Sequence, residues 1–447
     1  MKRILIKNAR IVNENEVFNG SVIIENEIIS EILRDGKEPL ATCDEVIDAG
    51  QQYLLPGIID DHVHFREPGL THKADIFSES RAAVAGGVTS FMDMPNVQPQ
   101  TTTLETLEQK FELGAKNSII NYSFYFGATN NNTELLKSLD KTRVCGIKLF
   151  MGSSTGNMLV DRMAALERIF NKANILVAAH CEDQNIIRQN TEAIKAQYGE
   201  DPDVSLHPVI RNAEACYSSS SLAVSLARKT DARLHILHVT TGKELQLFED
   251  KPIKDKKITS EACIAHLFFS KDDYATLGTR IKCNPAIKEV TNRDALRKAL
   301  NSNLIDVIGT DHAPHLLTEK IGGTLKAASG MPMIQFSLVT MMELVKEGIL
   351  SIEQLVQKMC HAPAELYEIH HRGYIREGYQ ADLVLVNPNA EWEVTSQNIL
   401  SKCAWSPLEG HRFTSKVEKT FVNGKLVYDS GLVDETYRGE ELKFRLQ

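Results

Sequence analysis

Tyr53-Leu54-Leu55-Pro56-Gly57-Ile58-Ile59-Asp60-Asp61-His62-Val63-His64-Phe65-Arg66 is an apolar run that ends in two histidines two residues apart. In a β-strand, residues i and i+2 share a face, so both imidazoles leave the strand end on one side and can hold one metal ion. Arg66 continues the alternation. It sets a fixed positive charge beside the pair, in a geometry suited to a carboxylate. An isolated pair of this kind is just as readily two ordinary polar residues. Repetition of the pattern decides between the two.

The pattern does repeat. Eight apolar, β-rich segments end near His64, Asp93, Ala128, Met151, His180, His238, His266 and Asp311. Amphipathic stretches such as 163–170 and 294–300 separate most of them. Eight such units over roughly 300 residues predict a (β/α)8 TIM-type barrel. A doubly wound α/β sheet would need a glycine-rich turn after its first strand, and there is none. The two ends of the chain read differently. Short strands are expected at 4–6, 9–12, 21–24 and 28–32, and again at 381–386. The segments 419–422 and 425–428 flank Asn423-Gly424, a type I′ hairpin signal. A small β-sandwich module built from 1–52 and 375–447 is therefore expected around a barrel spanning 53–374.

Polar side chains collect where the barrel segments end. These are His62 and His64, Lys148 within the apolar 144–151, His180, His238 and Asp311. Singly, each has a plain role: a strand-end histidine, a snorkelling lysine, a helix-capping aspartate. Five strand ends with such groups are jointly improbable as coincidence, and in barrels of this type the C-terminal face carries the chemistry. Four histidines, a lysine and an aspartate suit two divalent ions, with Zn²⁺ the natural choice. An ammonium would repel them. Reaction of a buried, neutral Lys148 amine with CO₂ would instead give an anionic carbamate able to bridge both ions.

Bulk properties narrow the partners. The net charge of −9 over 447 residues leaves no basic excess for nucleic acid, while a local pocket can still hold a small anion. The eight cysteines (43, 145, 181, 216, 263, 283, 360 and 403) form no CxxC pair and read as reduced thiols. No run approaches the ~18–20 apolar residues of a membrane span, and the first residues lack a leader pattern. A cytoplasmic location and no membrane partner are expected.

The motifs resemble those of the amidohydrolase superfamily and, within it, the dihydroorotases, over nearly the whole chain. His62-Val63-His64-Phe65-Arg66-Glu67-Pro68-Gly69 is similar to the HxHxRxPG stretch of that family. Met94-Pro95-Asn96 is similar to its MPN motif, and Asp311-His312-Ala313-Pro314-His315 to its DHAPH motif. The resemblance implies His62, His64, Lys148, His180, His238 and Asp311 as metal ligands for two Zn²⁺ ions bridged by carbamylated Lys148. It implies Arg66, Asn96 and His315 as ligands of a substrate carboxylate. Cys283-Asn284-Pro285-Ala286 is similar to the family's NPP segment and implicates Asn284 near the pyrimidine ring. Thr155, in the small polar loop 152–157, would sit on a lid. The implied reaction is the reversible cyclisation of N-carbamoyl-L-aspartate to L-dihydroorotate in pyrimidine biosynthesis, with Asp311 moving the proton. A homodimer is also implied.

Two features depart from the pattern. Many long-chain bacterial relatives carry aspartate where Lys148 stands. The seventh segment ends Cys263-Ile264-Ala265-His266 rather than PHH, so His266 is read as structural. The enzymatic alternatives are hydantoinase, dihydropyrimidinase and allantoinase, which share the metal site but not the carboxylate grip. A non-catalytic scaffold is the other alternative. Such relatives typically lose metal ligands, and here all six remain.

Overall fold

The computed structural model describes every residue except 1, 35, 38, 40, 153–157 and 447. Thr155 thus lies outside the described residues. Eight parallel strands form the barrel: β1 (Ile58–Val63), β2 (Val88–Asp93), β3 (Asn121–Phe124), β4 (Ile147–Phe150), β5 (Val177–His180), β6 (Leu234–Ile236), β7 (Ile258–Cys263) and β8 (Val307–Gly309). β1 pairs with β2 and β2 with β3. Beyond Tyr125 the third strand resumes at Phe126–Gly127 and pairs with β4. From β4 the ladder runs parallel through β5, β6 and β7 to β8. The circle closes just past β8. Val63 bridges His312, the His64 N–H donates to the His312 carbonyl at 2.8 Å, and the Thr310 N–H donates to Asp60 Oδ1 at 3.1 Å.

Apart from half-buried Ile258 at the start of β7, each strand is buried along its length, as an inner wall sheathed by helices requires. The helices present apolar stripes to it. Met163–Lys172, for example, buries Ala165, Leu166, Ile169 and Phe170 at helical spacing. Below the barrel, Ala362, Leu366, Tyr367, Leu442 and Phe444 pack against inward residues such as Ile59, Met92, Tyr125 and Leu237. The barrel is therefore filled from beneath, and its chemistry is confined to the upper rim.

The terminal strands form one nine-stranded, mostly antiparallel sheet. Its N-terminal hairpin pairs Arg3–Asn13 with Glu16–Glu25, and Lys416–Val422 pairs with Lys425–Asp429 around Asn423 and Gly424, both at positive φ. The sheet curls on itself. Ala381 N–H donates to the Glu27 carbonyl, and residues from both ends of the chain (Ile6, Ile24, Leu383, Phe421) share one apolar cluster. A single curled sheet thus makes up the β module. Tyr53–Pro56 belongs to this sheet, pairing with Arg3–Asn13 and with Leu383–Asn387, and the chain enters the barrel after Gly57. The eight cysteines are all unpaired. Among the described residues no helix is long and apolar enough to cross a membrane.

Candidate active site

Strand ends deliver the polar groups into one cavity of about 1030 Å³ at the C-terminal rim of the barrel. His62, His64, Lys148, His180, His238 and Asp311 all line it, together with Arg66, Asn96, Asn284 and His315. Every described site residue expected from sequence therefore faces a common space.

His62, His64 and Asp311 form the tightest group. Asp311 Oδ1 lies 3.2 Å from His62 Nε2 and 3.0 Å from His64 Nε2. The outer nitrogens of both rings are taken: His62 Nδ1 lies 2.9 Å from Glu261 Oε1, and His64 Nδ1 lies 2.8 Å from Asn96 Oδ1. Both outer partners accept, so each ring carries a proton on Nδ1, and Nε2, which faces Asp311, is the nitrogen left to a metal ion. Burial penalises the charge on Asp311, yet His62 and His64 hold its carboxyl well below the usual carboxylate range. Burial pushes His64 down to about 4, so its ring is neutral and free to ligate.

His180 and His238 form the second group. His180 Nδ1 and His238 Nε2 face each other at 2.9 Å. His180 Nε2 lies 3.0 Å from Glu182 Oε2, which Arg211 also contacts. Glu182 is an acceptor, so His180 Nδ1 is the lone-pair nitrogen on the cavity side. Burial holds the imidazolium forms of both rings down.

Lys148, on β4, lines the same cavity and is nearly fully buried, with its Nζ 4.6 Å from the Phe150 ring centroid. Burial brings its pKa down to about 8, against the pull of Asp311 and Glu261, so about a tenth of the amine is neutral at pH 7. Inward lone pairs, a carboxylate and a reactive amine make a donor set that fits divalent ions of the zinc type.

Arg66 opens the substrate side. Its Nε donates to the Pro314 carbonyl at 3.0 Å, which steers the fork of the guanidinium, and Nη2 lies 3.2 Å from His315 Nε2. Lys73 adds charge, 3.2 Å from His315 Nδ1 and 2.7 Å from Glu319. Buried Asp93 accepts the Phe65 N–H at 2.8 Å and pairs with Lys110, which also donates to the Met94 carbonyl. The ends of β1 and β2, and so Arg66 and Asn96, are tied together from below. Three site residues hold left-handed backbones: Arg66 (φ 69°), His238 (φ 41°) and Asp311 (φ 48°). Such conformations cost of order 1–3 kcal/mol each and gather at functional sites.

His266 does not join the site. It lies on the short helix Ile264–Phe268, and its Nε2 bonds the Pro285 carbonyl at 2.9 Å. Sequence reasoning missed Glu261, Glu182, Arg211, Lys73 and His207. Glu261, an acid in the interior of an otherwise uncharged strand, carried the clearest signal.

Residues 53–427 match the amidohydrolase family model. Among curated relatives, a dihydroorotase of Halobacterium salinarum is 33% identical over 390 residues, covering 87% of this chain and 89% of that one. A dihydroorotase of Methanosarcina mazei is 32% identical over 423 residues, covering 92% and 91%. Among solved structures, the L-hydantoinase (dihydropyrimidinase) of Arthrobacter aurescens superposes with a TM-score of 0.92 at 24% identity, covering all of both chains. A dihydropyrimidinase of Brevibacillus agri gives 0.88 at 24% identity, again over both whole chains. At that identity the likeness speaks for the fold alone.

Proposed function

The chain belongs to the amidohydrolase family, and on that premise we propose that it is a dihydroorotase, interconverting N-carbamoyl-L-aspartate and L-dihydroorotate. The observation that carries this reading is Arg66. It is buried on the cavity that His62, His64 and Asp311 line, with its Nε engaged by the Pro314 carbonyl, its Nη2 by His315, and Asn96 lining the same cavity. A ring substrate without a carboxylate would leave that cation unpaired in a desolvated pocket. Relatives named dihydroorotase, about 30% identical over most of the chain, support the same substrate class.

His62, His64, Lys148, His180, His238 and Asp311 would hold two zinc ions, with Lys148, as its carbamate, supplying an anionic ligand. Such ions supply Lewis acidity toward the ring carbonyl and a water of lowered pKa. The chain's own residues do the rest. Arg66, Asn96 and His315 fix the carboxylate and so hold the ring amide in register with Asp311. Asp311, kept ionised, takes the proton of the attacking water and delivers it to the ring nitrogen as the amide bond breaks. In the cyclisation direction the same carboxylate takes the proton from the ureido nitrogen. Glu261 and Glu182 hold His62 and His180 in their working tautomers. The substrate is a small anion, and a homodimer in the cytoplasm is the proposed context.

The test is a substrate panel on purified protein with added zinc: dihydroorotate, dihydrouracil, hydantoin and allantoin. Turnover of dihydroorotate above the other three is expected. Preference for a ring lacking the carboxylate would refute the assignment, and zinc content well under one ion per chain would favour a scaffold.

A further inference from the structure

His207 opens the short helix His207–Ile210, in the excursion that follows β5, and is almost fully buried. Its Nε2 lies 2.9 Å from the backbone carbonyl of Cys283 and 3.0 Å from Oδ1 of Asn284. A backbone carbonyl only accepts, so Nε2 must carry a proton, and Asn284 must turn its oxygen rather than its NH₂ toward it. A flipped carboxamide would set N–H against N–H. On the other edge of the ring, Nδ1 lies 3.2 Å from Thr324 Oγ1 and accepts from that hydroxyl. Thr324 is itself anchored. Its N–H donates to the Pro202 carbonyl at 2.8 Å, and Asp201 accepts the N–H groups of Gly323, Leu325 and Lys326. Burial, reinforced by Arg211 and Lys282, holds the ring near a pKa of about 3, so it stays neutral.

These bonds leave one end of Asn284 uncommitted. Its NH₂ has no protein partner among the described residues, and Asn284 lines the cavity. The acceptors of the proposed substrate can be apportioned. The carboxylate goes to Arg66, Asn96 and His315, and the scissile carbonyl goes to the metal-binding groups. The ureido carbonyl is the acceptor that remains. Resting on the dihydroorotase reading, we propose that His207 is a positioning residue: it fixes the Asn284 carboxamide so that its NH₂ donates to the ureido carbonyl oxygen of the substrate. That oxygen is present in both the ring and the open chain, so one contact serves both directions of the reaction.

A double-mutant cycle on the whole enzyme tests this. With dihydroorotate, His207→Leu is expected to lower kcat/KM about 5- to 10-fold, the value of one neutral hydrogen bond, chiefly through KM. Asn284→Ala should cost at least as much, and His207→Leu in the Asn284→Ala background should add nothing further. His207→Gln retains a donor and should recover most of the loss. Additive losses would overturn the proposal, as would wild-type kinetics in His207→Leu. Should His207→Leu fail to fold, Asn284→Asp provides the reading. A carboxylate has only acceptors to offer the carbonyl, so it must fall below Asn284→Ala, and an Asn284→Asp enzyme more active than Asn284→Ala refutes the donor role. The wild-type control separates the two ideas. An enzyme inert to dihydroorotate fails the functional reading, and the His207–Asn284 coupling is then measured on whichever ring it opens.

Discussion

Arg66→Met removes the guanidinium while keeping a flexible apolar stem in a site where Arg66 is only 7% exposed. Nε stays bound to the Pro314 carbonyl, so the fork of the side chain is what the substrate meets. Two charge-assisted hydrogen bonds to a carboxylate contribute roughly 1.5–3 kcal/mol each before the cost of stripping water from that carboxylate. Allowing about half of the gross sum for desolvation leaves about 1.5–3 kcal/mol, or roughly 10- to 150-fold in kcat/KM. Because the grip is made in the ground state as well as the transition state, the loss belongs mainly in KM. The folded state should not suffer. Burial already holds the Arg66 cation at a disadvantage, and methionine fills much of its volume without a charge to desolvate. The assay is steady-state hydrolysis of dihydroorotate alongside a ring lacking the carboxylate, with melting temperature and zinc content as controls. Dihydroorotate kcat/KM within threefold of wild type, in a folded and metal-loaded variant, would refute the carboxylate assignment.

Asp311→Asn keeps the shape of the side chain but cannot take up a proton. A fall in kcat of about 10²–10⁴ is expected at retained zinc content, and near-wild-type turnover would remove Asp311 from the proton path. A pH effect on stability is expected far from the site. His361 is buried where module meets barrel, accepting the Glu14 N–H at 3.0 Å and donating to the Gly373 carbonyl at 2.6 Å. Burial lowers its pKa from 6.5 to about 4. Its neutral form is the folded form, so stability is full above the unfolded-state value near 6.5 and is lost as pH falls from there toward 4. The loss is about 3 kcal/mol over that window. Melting curves of His361→Gln and wild type should therefore converge on acidification, and curves that run parallel from pH 7 to 4.5 would show that His361 does not titrate in this way.

How much of this could be read from residues alone follows from the range of each interaction. The barrel strands announce themselves locally, since each is a short buried run and several lead directly into a polar group. The expected ends at Asp93 and His180 coincide with the observed ones. The error at β7 is also local in origin. Cys263-Ile264-Ala265-His266 is as apolar as a strand, but the chain turns helical at Ile264 and carries His266 away from the site. The boundary after Gly57 was hidden for a similar reason, because Tyr53–Pro56 and Ile58–Val63 read as one apolar run although they enter different sheets. The partners that orient the site had no local signature. Glu261 reaches His62 across 199 residues, and His207 reaches Asn284 across 77. The sequence can therefore nominate ligands, which stand at the ends of apolar runs. It cannot nominate the groups that choose a ligand's tautomer or turn a carboxamide, because these are chosen by closure of the barrel. The same closure explains the left-handed backbones at Arg66, His238 and Asp311. The chain must turn sharply off the rim at those points while keeping the side chain over the cavity, and the surrounding ladder and loop contacts hold it there.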